Sequence, residues 1–247
     1  MSNAASQPRK PPIVDRDFAE RFLRAVDRPF DYGVYFLFHD WWAEAPQDAI
    51  DTYAEILTAK DGFAEFYDAR HIADPLSLDD LAACAPGTLG HGYRSFIVDH
   101  DLEANLATNY HEFHARLAEQ GTLDRLPDTV AFAIVRGFQI HDFLHVLTNS
   151  NPRPNGELRM AAFHFGQLQF PYHAMRMAVT AGHLAFVSPE AITPAMDAIA
   201  AGWILGRAAQ NLHFARWEDE LDTPLDDLRA EWGIQLDLVG TAGSLVR

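Results

Sequence analysis

The amino-acid sequence predicts an all-α fold, a single helical bundle built around one buried central helix. Apolar residues recur at intervals of three and four along most of the 247 residues, which is the period of an α-helix. No alternation of period two persists, so strands are not expected. Apolar residues make up 48% of the chain, which is enough to form a sizeable core in one large domain.

The chain is expected to begin with a disordered tail that is followed by a first helix. Residues 1–12 are rich in Ser, Gln and Pro and show no periodicity, so we predict a disordered N-terminal tail. Residues 13–247 are assigned to a single helical domain, whose first helix is expected to start near Asp15 and to end before Pro29. The aromatic segment 30–42 is interpreted as core packing, the alternative being an apolar wall for a greasy ligand or a membrane contact.

Three further helices are predicted before the central one. Apolar spacing indicates helix over residues 47–67. Ser77 is a good N-cap for a short helix that runs through Ala83. A glycine-rich turn is expected to release the next helix, from Tyr93 to about Leu102.

The segment from residue 129 to 148 is the longest predicted helix, and it is apolar nearly all round. Such a helix is expected to be central and buried, with Asp128 as its N-cap. A loop with Pro and Gly breakers follows over residues 149–156. The next helix begins at Glu157, and Pro171 is expected to kink or restart it.

The last third of the chain is also predicted to be helical. Ser188 is expected to cap a short helix, and Thr193 to begin a long one. Gly202 and Gly206 lie four residues apart on that helix, a spacing that would let another helix approach closely. The tail from residue 217 is expected to form a final short helix and an extended end.

Composition argues against several classes of function. The net charge of -16 and the lack of any Lys/Arg cluster exclude nucleic acid as an expected partner. Residues 1–16 lack the apolar core of a secretory signal. Cys84 is the only cysteine, so no intramolecular disulfide is expected, which fits a reducing compartment.

Three ionisable residues interrupt the most apolar helix. His141, Asp142 and His145 fall on one arc of its surface, and Glu157 can return beside them from the next helix. In a chain with 12 His and 35 acidic residues, chance occurrence of such a motif is the alternative explanation. Buried without partners, however, each group would cost several kcal/mol. We therefore predict a divalent metal, with zinc favoured, and a single-domain helical bundle with a buried metal-bearing central helix.

The predicted ligands are His141, Asp142, His145 and Glu157, with Asp142 binding directly or through water. His164 lies seven residues after Glu157 and is interpreted as a second-shell partner or proton donor, with a surface histidine as the equal alternative. His173 is a weaker candidate for the same role, because the expected kink at Pro171 spoils its register. Arg153 and Arg159 flank Glu157 and are candidates to meet an anionic group of a substrate, with a solvated charge as the default interpretation of both.

The motif by itself leaves several classes of metalloprotein open. Zincin peptidases carry Glu beside the first histidine, whereas this chain has the shorter Asp142. Phosphohydrolases of the HD type use a His-Asp doublet with a separate upstream His and a distant Asp, and no matching distant pair is identified here.

The third class is one that the residues resemble. The HDxxH motif followed after eleven residues by Glu157 is similar to the signature of the Coq4 family of ubiquinone biosynthesis proteins. The likeness runs from roughly Leu76 to Ile234, with departures at Leu144, where an aromatic residue is common, and at Asn149, where Gly is common. Further matching elements are Pro86–Gly90 with Tyr93 and Phe96, Val146–Thr148, Gly156, Phe163–Gln167, Gly202-Trp203 with Gly206, Trp217-Glu218, and Leu225 with Arg229.

This resemblance implies an all-helical, zinc-binding protein with a role in ubiquinone biosynthesis. It implies a polyprenylated aromatic acid as substrate and metal-dependent decarboxylation, with or without hydroxylation, at C1 of a polyprenyl-hydroxybenzoate, which would make the protein a lyase. The four predicted ligands would then also be the catalytic residues. The slot for the isoprenoid tail is expected among the following side chains: Phe163, Phe165, Phe170 and Tyr172.

The competing hypothesis is a non-catalytic, lipid-binding scaffold with a structural metal, which organises the other ubiquinone biosynthesis enzymes. Under either hypothesis the expected partners include those enzymes, a membrane surface contacted peripherally, and further copies of the chain in a homo-oligomer. The expected location is the bacterial cytoplasm, with peripheral attachment to the inner membrane.

Overall fold

The computed structural model describes residues 16–29, 42, 45–121 and 123–238. Within these ranges the protein is all-α, as predicted, with no strand, and an isolated β-bridge joins Thr88 and Pro224. The predicted N-terminal tail, most of the aromatic segment 30–42 and the end of the C-terminal tail lie outside the described residues.

The described residues form twelve α-helices. Short 3-10 turns are found at Pro189–Ala191, Trp217–Asp219 and Leu236–Leu238. The helices are α1 Arg16–Asp27, α2 Gln47–Thr58, α3 Phe63–Asp68, α4 Leu78–Ala82, α5 Leu89–Asp99, α6 Glu103–Leu106, α7 Tyr110–Glu119, α8 Asp128–Leu147, α9 Pro154–Leu168, α10 Pro171–Val187, α11 Ile192–Ala208 and α12 Leu225–Glu231.

Helix α8 is the buried central helix that the sequence predicts. By length and composition it is the one helix in the described ranges that could cross a membrane, but 78% of its apolar window is buried inside the protein. Its C-terminal half, with Ile140 and Phe143, belongs to one buried apolar cluster, which also contains Trp217. Its N-terminal half, with Val130 and Phe132, belongs to a second. Helix α8 is therefore shared by both parts of the core.

Helices α9 and α11 pack closely at Gly202 and Gly206, as their spacing predicts. A β-carbon added at Gly202 would overlap the backbone oxygen of Arg159, and one at Gly206 would overlap that of Phe163. No larger residue fits at either position unless the helices move apart. Because α9 carries Glu157, this contact helps to set where that carboxylate lies.

Several predicted helix boundaries were wrong for local reasons. The segment 47–67 is two helices, separated at Gly62, whose φ of 78° is left-handed. Helix α5 begins at Leu89 rather than Tyr93, because the Thr88 hydroxyl accepts a hydrogen bond from the backbone N–H of His91 at 3.4 Å and caps the helix there.

The two helices that carry the predicted site also begin differently from the prediction. The N-cap of α8 is Pro127 and not Asp128, whose carboxylate pairs instead with Arg70 at 2.6 Å. Helix α9 starts at Pro154, inside the predicted loop, because proline is well suited to the first helical position. Glu157 consequently lies in the first turn of α9. The Ser77 cap and the restart at Pro171 are confirmed.

Candidate metal centre and adjoining cavity

Three of the four predicted ligands come together. His141 and His145 lie one turn apart on α8, and Glu157 faces them from the first turn of α9. One ligand atom from each residue lies within 4.8 Å of the other two. The Glu157 carboxylate oxygens lie 3.2 Å from Nε2 of His145 and 3.7 Å from Nε2 of His141. We call these three residues the metal centre.

The loop between α8 and α9 orients His145. Nδ1 of His145 lies 3.0 Å from the backbone oxygen of Ser150, which can only accept, so Nδ1 carries the proton. Nε2 then presents its lone pair towards Glu157, and it is buried without a hydrogen-bond partner in the described protein. A histidine held this way by a backbone carbonyl is the usual arrangement of a metal ligand.

The charges around Glu157 favour its ionised form. Burial by itself would raise the pKa of this carboxyl group, but the close approach of His145, and then of His141 and Arg176, lowers it to about 2. Nη2 of Arg176 on α10 donates to Glu157 Oε2 at 3.2 Å. Burial, and then the neighbouring His145, lower the pKa of His141. At neutral pH the centre therefore presents an anionic carboxylate and a neutral His141 imidazole.

Asp142, the fourth predicted ligand, does not join this group. Its carboxylate accepts a hydrogen bond from Asn105 on α6 at 3.1 Å. Successive residues of a helix point about 100° apart, which separates the side chain of Asp142 from that of His141. Asp142 still acts on the centre through its charge, which raises the pKa of His141 against the lowering by burial.

A cavity of about 170 Å³ adjoins the metal centre, and His141 belongs to both. Its walls come from α2, α8, α9, α10 and the segment after α11. Arg176 also lines it, as do Phe170 and Tyr172 from the expected aromatic slot. The other two members of that slot are elsewhere: Phe163 is fully buried in the core around Trp217, and Phe165 packs against Trp203.

Four histidines surround part of this cavity: His141, His164, His173 and His213. The ring of His164 lies 5.6 Å from that of His141 and 4.9 Å from that of His213, centroid to centroid. It stacks on His173 at 4.9 Å with 10° between the planes. His164 is thus buried beside a proposed ligand and is not a surface histidine.

The remaining candidates divide between exposed and buried positions. Arg153 is exposed, and Arg159 is 2% exposed but lies outside the cavity lining. Sequence reasoning missed Arg176 and His213. Neither has a partner at a recognisable spacing, and only the folding of α10 and of the segment after α11 brings them to the site.

Fold and site together define an all-helical protein in which a His-His-carboxylate centre adjoins a largely apolar cavity. Residues 68–237 match the family model of "Coenzyme Q (ubiquinone) biosynthesis protein Coq4". The chain belongs to the Coq4 family, and its role lies in ubiquinone biosynthesis.

A solved structure from Nostoc punctiforme has a similar fold. That protein, described as a "Putative ubiquinone biosynthesis protein", is 18% identical to this chain, with a TM-score of 0.68. The similarity covers 88% of this chain and 96% of the other. No curated protein matches the sequence.

Proposed function

We propose that the protein removes the ring carboxyl group at C1 of a polyprenyl-hydroxybenzoate with the help of a divalent metal, zinc being the favoured ion. The observation that carries this proposal is the position of the metal centre at the wall of an apolar cavity, with His141 shared between the two. A polar reacting group and an apolar body of one ligand could therefore be held side by side.

The residues of the metal centre suit such an ion. Two imidazole nitrogens and one carboxylate are a common zinc ligand set that leaves a position open for substrate. His145 has its second nitrogen, Nδ1, bound to a backbone carbonyl, an arrangement that leaves Nε2 as the nitrogen available to a metal in the neutral ring. When bound, a divalent metal supplies Lewis acidity to a carboxylate or phenolate oxygen.

The other side chains would orient the substrate. Arg176 lines the cavity and donates to Glu157, so it keeps that carboxylate in place and offers positive charge to an acidic ring substituent. Tyr53, Phe138 and Phe170 would pack against the ring and exclude water. The carboxyl group leaves as CO2. A proton replaces it in simple decarboxylation, whereas its replacement by a hydroxyl group is a two-electron oxidation that needs an external oxidant such as dioxygen.

A scaffold function is the second candidate, because large apolar side chains lie exposed on α10 and α11. Phe186 is 85% exposed, and Trp203 and Ile204 are 40% and 46% exposed. These surfaces could contact a membrane, other ubiquinone biosynthesis proteins or a second copy of the chain. In this version the metal is structural, and the protein works peripherally on the inner membrane of a bacterial cell.

An activity assay separates the two functions. Purified, metal-depleted protein is given a carboxylated prenyl-phenol, and divalent metals are added back one at a time. We expect CO2 release with at least one metal and its loss in His141→Ala. The matched control is His91→Ala, at an exposed histidine of α5, which should keep activity.

The result that defeats the catalytic proposal is also specific. If folded His141→Ala protein still converts the precursor, the metal has no catalytic role. If no metal restores turnover although the protein binds metal and prenylated lipid, the scaffold function is favoured.

A further inference from the structure

The turn that ends α8 holds the backbone of His145 in place. Asn149 has a left-handed φ of 53°. Its N–H donates to the carbonyl of Val146 at 3.2 Å, and the N–H of Ser150 donates to the carbonyl of His145 at 2.8 Å. Two such bonds around a left-handed residue form the Schellman motif, with which many helices end. The last turn of α8, which contains His145, is therefore fixed by the residues that follow it.

The same turn also holds the side chain of His145. Nδ1 of His145 lies 3.0 Å from the backbone oxygen of Ser150. His145 and Ser150 are thus joined twice, once through the backbone of the histidine and once through its ring. Thr148 and Ser150 are fully buried, and their hydroxyl oxygens lie 3.0 Å apart. A different backbone conformation at Asn149 would therefore move the ring that faces Glu157.

The left-handed φ restricts which residues suit position 149. Asparagine tolerates this conformation and glycine adopts it readily, whereas a β-branched residue is strained there. Replacing Asn149 by valine consequently opposes the turn, while replacing it by glycine does not. The residue at position 149 thus affects the orientation of His145, although its own side chain is not part of the metal centre.

The other end of the same loop places Glu157 by close contact. Gly156 is buried in the first turn of α9, directly before Glu157. A β-carbon added at Gly156 would overlap the backbone oxygen of Asn151. A backbone oxygen cannot rotate away as a side chain can, so any larger residue forces the loop and the first turn of α9 apart. Because Glu157 lies in that turn, its carboxylate would move as well.

We infer that Asn149 and Gly156 are positioning residues of the metal centre. Asn149 acts through Ser150 on the direction of the His145 ring, and Gly156 acts through the backbone of α9 on Glu157. The inference rests on the proposed function, since it concerns the metal that this function requires. It adds two residues outside the ligand set that determine how tightly the ion is held, and residues that orient ligands commonly affect metal affinity by about 10- to 100-fold.

Metal binding tests this inference without turnover. Metal-free protein is titrated with cobalt(II), whose visible absorbance reports the geometry of its ligands, and its affinity is measured in competition with a chelator. We expect Asn149→Val and Gly156→Ala to bind cobalt about 10- to 100-fold more weakly and to change the spectrum of the bound ion. Asn149→Gly keeps the left-handed turn and should stay within about threefold of wild type.

Two matched variants separate positioning from a general loss of stability. Asp101→Val places the same β-branched residue at a left-handed φ of 57°, in the turn that follows α5. Gly90→Ala creates the same kind of overlap, here with the backbone oxygen of Leu221. Both should lower the urea midpoint of unfolding, as Asn149→Val and Gly156→Ala do, but they should leave the affinity for cobalt and its spectrum as in wild type.

The inference is overturned if folded Asn149→Val and Gly156→Ala bind cobalt with the affinity and spectrum of wild type. It is also overturned if Asp101→Val and Gly90→Ala weaken binding to the same extent, or if Asn149→Gly does so as much as Asn149→Val. Where either test variant does not fold, Asn149→Ala compared with Asn149→Gly decides instead, because alanine is strained at a left-handed φ and glycine is not.

The same measurements separate the inference from the proposed function. A wild-type protein that binds no metal overturns both. If wild type binds metal but releases no CO2, and the two test variants lose the metal, the inference is supported while the proposed catalysis fails. If the test variants bind metal as wild type does and still release CO2, the inference fails and the proposed function stands.

Discussion

Helix α8 carries two buried polar clusters that differ in how fully the protein satisfies them. In the first, Nη1 of Arg136 donates to Gln139 at 2.5 Å and to Glu218 at 2.6 Å, and Nη2 donates to the backbone oxygen of Ala215 and to Glu218. Among the described residues, Nε of Arg136 is the one nitrogen of the guanidinium without a partner. We call this the Arg136 network.

The second cluster, the metal centre with its cavity, begins one to two turns further along the same helix. There Nε2 of His145 and Nδ1 of His141 and His164 are buried without a hydrogen-bond partner among the described residues. One cluster thus closes on itself and holds the segment around Glu218 against α8. The other leaves ligand atoms available. Both clusters are buried and charged, so what distinguishes a candidate site from a structural network here is that some of its buried polar atoms have no hydrogen-bond partner.

The largest effect is expected from breaking the Arg136 network. Arg136→Met leaves the Glu218 carboxylate, only 9% exposed, without its cation, and should lower the free energy of unfolding by about 3–5 kcal/mol. Urea unfolding measures this, and folded protein should still bind metal.

A surface pair provides the control for that variant. Arg16 pairs with Glu20 across an exposed face of α1, so Arg16→Met should change stability by less than about 0.5 kcal/mol. If Arg136→Met costs no more than the control, or if it removes the metal, the two clusters are not distinct in the way proposed.

The next effect concerns acid stability at the metal centre. The pKa of Glu157 is lowered from 4.5 to about 2 in the folded protein, so its contribution is present above pH 4.5 and is lost as the pH falls through 2. In metal-free protein this contribution is on the order of 2–3 kcal/mol. Glu157→Gln should therefore flatten the loss of stability between pH 5 and 2.

Urea titrations at several pH values across that range measure the slope. Glu20→Gln, on the exposed face of α1, is the matched control and should leave the slope as in wild type. An unchanged slope in Glu157→Gln would mean that the carboxylate gains nothing from the neighbouring histidines and Arg176.

The smallest effect is expected at Asp142. Because its carboxylate binds Asn105 and influences His141 only through charge, Asp142→Asn should weaken metal binding by at most about tenfold. Competition with a chelator of known affinity measures this. If Asp142→Asn weakens metal binding as much as Glu157→Gln does in the same assay, Asp142 is a ligand.

The sequence predicted the parts of the site that depend on local spacing. His141 and His145 are placed by helical period, and Glu157 by a Pro-containing loop between two apolar helices, so these positions follow from nearest-neighbour rules. Asp142 satisfied the same spacing argument, but its side chain does not join those of His141, His145 and Glu157. Its carboxylate binds Asn105 instead, and no local sequence pattern indicates this tertiary contact.

The cavity could not be predicted in the same way. Arg176 and His213 come from elements distant in sequence, and their positions depend on how α10 and the segment after α11 pack on α8. Likewise, the start of α5 depended on the Thr88 cap, while the glycines that follow suggested a later start. The assignment of residues 13–247 to one domain stays a prediction.

The short loop between α8 and α9 has a further consequence for how the molecule assembles. His141, His145 and Glu157 are contained within seventeen consecutive residues, so bringing them together costs little loop-closure entropy. His213 reaches the same region from 49 residues beyond His164, across two intervening helices. Contacts between distant residues form more slowly than local ones. During folding we therefore expect the ligands of the metal centre to meet before the cavity beside them is closed.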